Sequence, residues 1–109
     1  MLIADGGYLL SAESVRLMLR DRMSTTQRVE NGVFIGDHSG WGLMMLVPAA
    51  DGSTGTPGGY GWNGGSGATW RTDPSVGLAG ILLTQRMVTS PEPTELVRDF
   101  WNASYAAAR

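Results

Sequence analysis

The pattern of hydrophobic and polar positions divides the chain into a few clear stretches. Between Tyr8 and Asp21 the positions Val15, Met18, Leu19 and Arg22 follow one another at i, i+3, i+4 and i+7. That spacing predicts a short amphipathic helix, and Ser11 stands where its hydroxyl can accept from an orphan N–H of the first turn. Before it, Met1 to Ala4 reads as the last turn of an earlier helix, and Asp5-Gly6-Gly7 as a turn. Met23 to Gly40 is polar and aperiodic, which predicts a long surface connection. Trp41 to Ala49 is an unbroken apolar run bounded by Gly40 and Pro48, suited to a buried strand. Ala50 to Gly59 is a turn-rich connector containing Asp51-Gly52 and Pro57-Gly58-Gly59.

Tyr60 to Thr72 reads as a glycine-rich strand and Asp73-Pro74-Ser75 as a turn. Gly77 to Arg86 reads as a further apolar strand centred on Leu78-Ala79-Gly80-Ile81-Leu82-Leu83. Ser90-Pro91-Glu92-Pro93 then opens a final helix, because proline is tolerated in a first turn. Its apolar stripe is Leu96, Val97, Phe100, Trp101, Ser104 and Tyr105. The expected order is therefore helix, long loop, three-stranded antiparallel meander and C-terminal helix, an α/β (α+β) arrangement without internal repeats.

Composition narrows the function classes. With 109 residues the chain is at most one small domain, and its 17% charged residues fall below the usual share of about 25%. Surface meant to be covered by something else is the simplest reason. Net charge is −2 and the basic residues are scattered singly, which argues against a nucleic-acid partner. No stretch approaches the roughly 20 apolar residues of a membrane span. The N-terminus has no signal-peptide pattern, so the compartment stays open between cytoplasmic and exported. There is no cysteine and no lysine; all eight basic residues are arginine. Disulfides, thiolate metal sites and amine chemistry are thereby removed.

The most unusual segment is Gly59-Tyr60-Gly61-Trp62-Asn63-Gly64-Gly65-Ser66-Gly67-Ala68-Thr69-Trp70. Repeated glycine in a strand marks a bulge or a close approach by a ligand or another backbone, although a flexible loop carrying aromatics fits the composition equally. Trp62-Asn63-Gly64-Gly65, then Ala68-Thr69-Trp70, Asp73-Pro74 and Gly80-Ile81-Leu82-Leu83-Thr84-Gln85-Arg86, resembles the C-terminal part of the β-lactamase-related serine hydrolases. That group includes class C β-lactamases, D-alanyl-D-alanine carboxypeptidases (penicillin-binding proteins) and family VIII carboxylesterases. Upstream, Met1-Leu2-Ile3 with Gly6-Gly7 and Leu10 to Val15 is similar to the stretch before the family's third motif. Downstream, Arg98-Asp99-Phe100-Trp101 resembles its closing helix.

The resemblance implies a partial β-lactamase/transpeptidase-like fold over residues 1–109, with the N-terminal catalytic part absent. Trp62-Asn63-Gly64 stands where the family carries Lys-Thr-Gly on a strand at the edge of the active site. Substrate would be bound by Trp62, Asn63, Gly64, Gly65 and Ser66, with the Gly65 amide as one oxyanion-hole donor. The implied chemistry is acyl transfer through an acyl-serine, without metal or organic cofactor. Tryptophan in place of a cation favours a small neutral ester or amide over a carboxylate-bearing β-lactam.

The family's Ser-x-x-Lys cannot exist in a chain without lysine. No tyrosine begins a Tyr-x-Asn either: Leu10, Trp62 and Ala107 stand two residues after Tyr8, Tyr60 and Tyr105. The expectation is thus a bacterial hydrolase fragment, inactive alone, whose partner is the missing N-terminal segment or a second copy. The alternative is a non-enzymatic remnant acting as a small binding or self-association module.

Other constellations are weaker. His38, beside Asp37, reads as a solvated loop histidine rather than a general base. Asp73 reads as a turn residue rather than an acid, and a metal site would have only His38 and carboxylates to use. Trp41 and Trp101 read as core residues, while Trp62 and Trp70 are open between core and ligand stacking.

Overall fold

The computed structural model describes residues 7, 9–36, 39–48 and 59–109. His38, Asp37, Tyr8, the expected helix end at Met1 to Ala4 and the connector from Ala50 to Gly58 lie outside the described residues. Helix α1, Ala12–Met18, starts where expected: Ser11 caps it and its side chain accepts from Ser14 N at 3.1 Å. The stretch expected to be a bare connection instead holds two short helices, α2 (Thr25–Glu30) and α3 (Gly32–Ile35). The reason is local. Ser24 and Gln27 form a capping box, each side chain bonding the other's backbone N–H, and this offsets the cost of starting a short helix.

The apolar run from Trp41 does not form one strand. It bends into a hairpin of β1 (Ser39–Trp41) and β2 (Leu46–Pro48), closed by Gly42 N bonding Met45 O at 2.9 Å. Met44 takes the turn at φ 71°, a region non-glycine residues rarely enter, so no turn residue announces it. The glycine-rich segment likewise folds back on itself, as β3 (Tyr60–Asn63) and β4 (Thr69–Asp73). A turn ending at Gly77, with φ 65°, leads to β5 (Leu78–Leu82). The result is an antiparallel meander, as expected, but of five strands in the order β1-β2-β3-β4-β5. Helix α4 is Glu95–Ala107. It begins at a Thr94 cap and not at Ser90, because Pro93 forces the residue before it into extended backbone.

Strand alternation assigns the two faces. Tyr60 pairs with Thr72, and Tyr60 packs with Met45 and Val47 under Met18 and Leu19 at the end of α1. On the opposite face, Gly61 pairs with Arg71 and Arg71 with Gly80. There the Arg71 guanidinium lies 4.9 Å from the Trp101 ring centre, and a Cβ on Gly80 would strike that ring at 2.8 Å. Gly80 is therefore what lets α4 sit down on the sheet. Helices on both faces of an antiparallel sheet match the expected class.

Candidate active site

The candidate residues sit at one end of the β3–β4 hairpin. Gly64 and Ala68 close it, Gly64 N donating to Ala68 O at 2.8 Å, which leaves a three-residue loop of Gly65, Ser66 and Gly67. Inside it Gly67 N bonds Gly64 O at 3.0 Å, and Gly67 adopts φ 91°. A turn followed by a left-handed glycine is a common way to join two strands with their twist preserved. Gly67 has a second reason to be glycine, since a side chain there would run into the Arg86 carbonyl.

Two further bonds hold this loop from behind. Thr84 Oγ1 donates to Gly67 O at 2.9 Å, and Val88 N donates to Gly65 O at 3.1 Å. The Thr84-Gln85-Arg86 stretch singled out in the sequence is thus the clasp on the turn. With its carbonyl engaged, Gly65 occupies the second position of the turn, whose N–H takes no part in closing it. No group lies within 4 Å of the side a Cβ would occupy. Gly65 and Ser66 are exposed, Trp62 and Gly64 half-buried.

Trp62, Asn63, Gly64 and Gly65 line a groove of about 470 Å³ whose far wall is the segment from Val88 to Thr94. Glu92 is the one charged side chain among the described lining residues. Trp62 also borders a second concavity of about 440 Å³ with Trp41 and Arg22, and Phe34 lines both. The Trp41 and Trp62 rings meet edge to face at 4.8 Å. The strand carrying these residues is central in the sheet and not at its edge. Its pairing with β2 is confined to Leu46 and Gly61, however, so Trp62 and Asn63 project past β2.

Asn63 is tied to the core. Thr69 Oγ1 donates to Asn63 Oδ1 at 2.6 Å, and the Trp101 indole N–H donates to Thr69 Oγ1 at 3.1 Å. Trp101 is buried, as expected of it, and Trp41 is half-buried. Thr69 and Phe34 had no assigned role in the sequence. Thr69 was accessible by counting back from the turn, since a loop of Gly65 to Gly67 puts it opposite Asn63. Phe34 comes from helix α3, and no local pattern points to it.

Asp73 is a turn residue, as read. It is fully buried and accepts from Ser75 N at 3.0 Å, Ser75 Oγ at 2.5 Å and Tyr105 Oη at 3.0 Å. The same oxygen receives both Ser75 bonds, the arrangement of an Asx-type turn. Burial raises the Tyr105 phenol above its ordinary value near 10. The Asp73 bond adds to the rise and Arg71 opposes it. Among the described residues no group of three or more His, Cys, Asp or Glu could hold a metal ion, and no helix is long and apolar enough to cross a membrane.

No family model matches the chain. In an alignment 91 positions long that takes in 74% of this chain, it is 38% identical to uncharacterized protein MT1414 of Mycobacterium tuberculosis (strain CDC 1551 / Oshkosh). The same figures hold for protein Rv1367c of Mycobacterium tuberculosis (strain ATCC 25618 / H37Rv). The chain spans 22% of the length of either relative. Among solved structures it is similar to simvastatin synthase (LovD) from Aspergillus terreus, in the LovD6 mutant. The TM-score is 0.70 at 23% identity, over 98% of this chain and 31% of that one. Identity at that level speaks to architecture, and the architecture is clear: a five-stranded antiparallel sheet with a C-terminal helix, in the manner of the β-lactamase-like fold of LovD.

Proposed function

We propose that this chain is the C-terminal part of a β-lactamase-related serine hydrolase or acyltransferase. In this reading it contributes the strand bearing Trp62-Asn63-Gly64 and the Gly65 amide to an acyl-transfer site. The nucleophilic serine and its base belong to sequence outside these 109 residues, and the chain alone is inactive. The observation that carries the reading is the Gly65 turn. Its amide is left over from turn closure, its carbonyl is clasped by Val88, and the side where a Cβ would stand is open, beside a groove that Gly65 lines.

An amide held that way is pre-organised for an oxyanion, and such a donor contributes about 3–4 kcal/mol to the transition state. A groove whose described lining carries Glu92 and no cation suits a neutral ester or amide. The 22% and 31% spans of its relatives agree with a portion of a larger enzyme, and the absence of lysine removes Ser-x-x-Lys from this portion.

The test is turnover of p-nitrophenyl butyrate by the chain alone and after mixing with a segment carrying Ser-x-x-Lys and Tyr-x-Asn. Activity should appear only on mixing. Gly65→Pro should then lower kcat by about 100- to 1,000-fold, because proline deletes the N–H while fitting the second position of the turn. Turnover by the isolated chain, or a fully active Gly65→Pro, would count against the reading.

A further inference from the structure

An indole N–H can donate and cannot accept. The Trp101 ring N–H lies 3.1 Å from Thr69 Oγ1, so that oxygen must be the acceptor. Thr69 is 1% exposed, which leaves its hydroxyl proton no solvent to turn toward. The remaining neighbour is Asn63 Oδ1 at 2.6 Å. The direction of the chain of bonds is therefore fixed from its buried end: helix α4 to strand β4 to strand β3.

A carboxamide can ordinarily present either end, and which way it points must be argued from its neighbours. Here the neighbours decide. The oxygen of Asn63 is engaged by Thr69, and the –NH₂ end remains for the groove it lines. The geometry points to Trp101 and Thr69 as positioning residues that commit Asn63 to donating hydrogen bonds into the groove. The ligand atom it suits is an acceptor oxygen, such as the carbonyl of an ester or amide. This assignment rests on the acyl-transfer reading for the identity of the ligand; the direction of the relay does not.

The relay separates from a packing contact by what it does to Asn63. If the Trp101–Thr69 bond merely stitches helix to sheet, removing the hydroxyl should leave the Asn63 carboxamide unmoved. If the relay orients it, the carboxamide should lose its fixed environment. The experiment is ¹⁵N–¹H NMR on the 109-residue chain with Thr69→Val, which keeps the shape and removes the hydroxyl, and with Thr69→Ser, which restores it. Thr69→Val should shift both Asn63 Nδ2–H signals toward solvent-exposed values and remove the exchange protection of the Trp101 indole proton. Thr69→Ser should return both. Should Thr69→Val not fold, the double variant T69V/W101F removes donor and acceptor together and is read through the same Asn63 signals.

Asn63 signals that ignore Thr69→Val would overturn the relay. Turnover supplies a separate arm. Asn63→Asp still accepts from Thr69 but offers the groove an acceptor in place of a donor. In the mixed system it should lower kcat/KM by about 10-fold or more, the cost of one lost hydrogen bond. Unchanged kcat/KM in Asn63→Asp would overturn the donor role. No turnover in any chain, wild type included, would count against the acyl-transfer reading, while the NMR result still decides the relay.

Discussion

At the residue scale the tightest assembly outside the hairpin turn is built around Asp21. Its side chain is 1% exposed and forms a 2.7 Å ion pair with Arg28, whose other nitrogen donates to Ser39 O at 2.6 Å. One carboxylate oxygen also accepts from Met23 N at 3.0 Å and Trp41 N at 3.1 Å. The end of α1, helix α2 and strand β1 therefore meet at a single side chain. Gly40 makes this approach feasible, since a Cβ there would fall on the carboxylate. Asp21→Ala should destabilise the chain by about 3–5 kcal/mol, because a guanidinium and two backbone donors lose their acceptor in a water-poor site. Asp21→Asn should cost less, as its oxygen can still take both amides. Urea unfolding measures both, and a loss below about 1 kcal/mol for Asp21→Ala would mean that water substitutes there. Nothing in the sequence marks Asp21, whose partners Arg28 and Trp41 stand 7 and 20 residues away. Gly65 was different: the closely spaced Gly64, Gly65 and Gly67 mark its position in the sequence, although not the turn they make.

At the scale of elements, what was legible was what short-range periodicity and caps encode. The Ser11 cap, the turn at Asp73 and the α4 stripe all correspond to structure, with Val97 and Trp101 buried and Leu96 turned outward. The two hairpins were hidden for opposite reasons, one by a turn at Met44 without turn residues and one by so many glycines that the strand hid its own bend. The seating of α4 rests on pairs 20 or more residues apart, from Gly80–Trp101 to Thr69–Trp101, and its Tyr105–Asp73 bond makes that seating sensitive to alkali. The Tyr105 pKa is raised in the folded chain, so the unfolded chain releases this proton first as pH rises. Its contribution is whole below about pH 10 and is lost as pH climbs through the folded value. Thermal unfolding followed from pH 8 upward should show Tm falling beyond about pH 10, with a flatter fall in Tyr105→Phe. Identical slopes in both chains would place the alkaline sensitivity elsewhere.

At the scale of the whole molecule, large apolar side chains stand uncovered among the described residues. Among the described residues seven hydrophobic side chains are buried, while twelve large ones are exposed. The imbalance is sharp at β5. This strand pairs with β4 alone among the described residues, carries no charge from Leu78 to Leu82, and leaves Ile81 70% and the following Leu83 76% exposed. Edge strands that persist as free monomers usually bear a lysine, a proline or a bulge that discourages pairing, and β5 has none of these. Ile81 lies opposite Trp70 on the face away from α4, so a charge there need not disturb the helix. The purified chain should accordingly self-associate with rising concentration in sedimentation equilibrium, and Ile81→Lys should return it toward monomer with its circular dichroism unchanged. Under the proposed reading, a segment that carries Ser-x-x-Lys and covers β5 should compete with that self-association. If it does, the same edge serves both, and the low charge of the chain reflects a surface meant to be covered. A wild-type chain that stays monomeric, or an Ile81→Lys variant that associates as before, would separate the exposed strand from any partner.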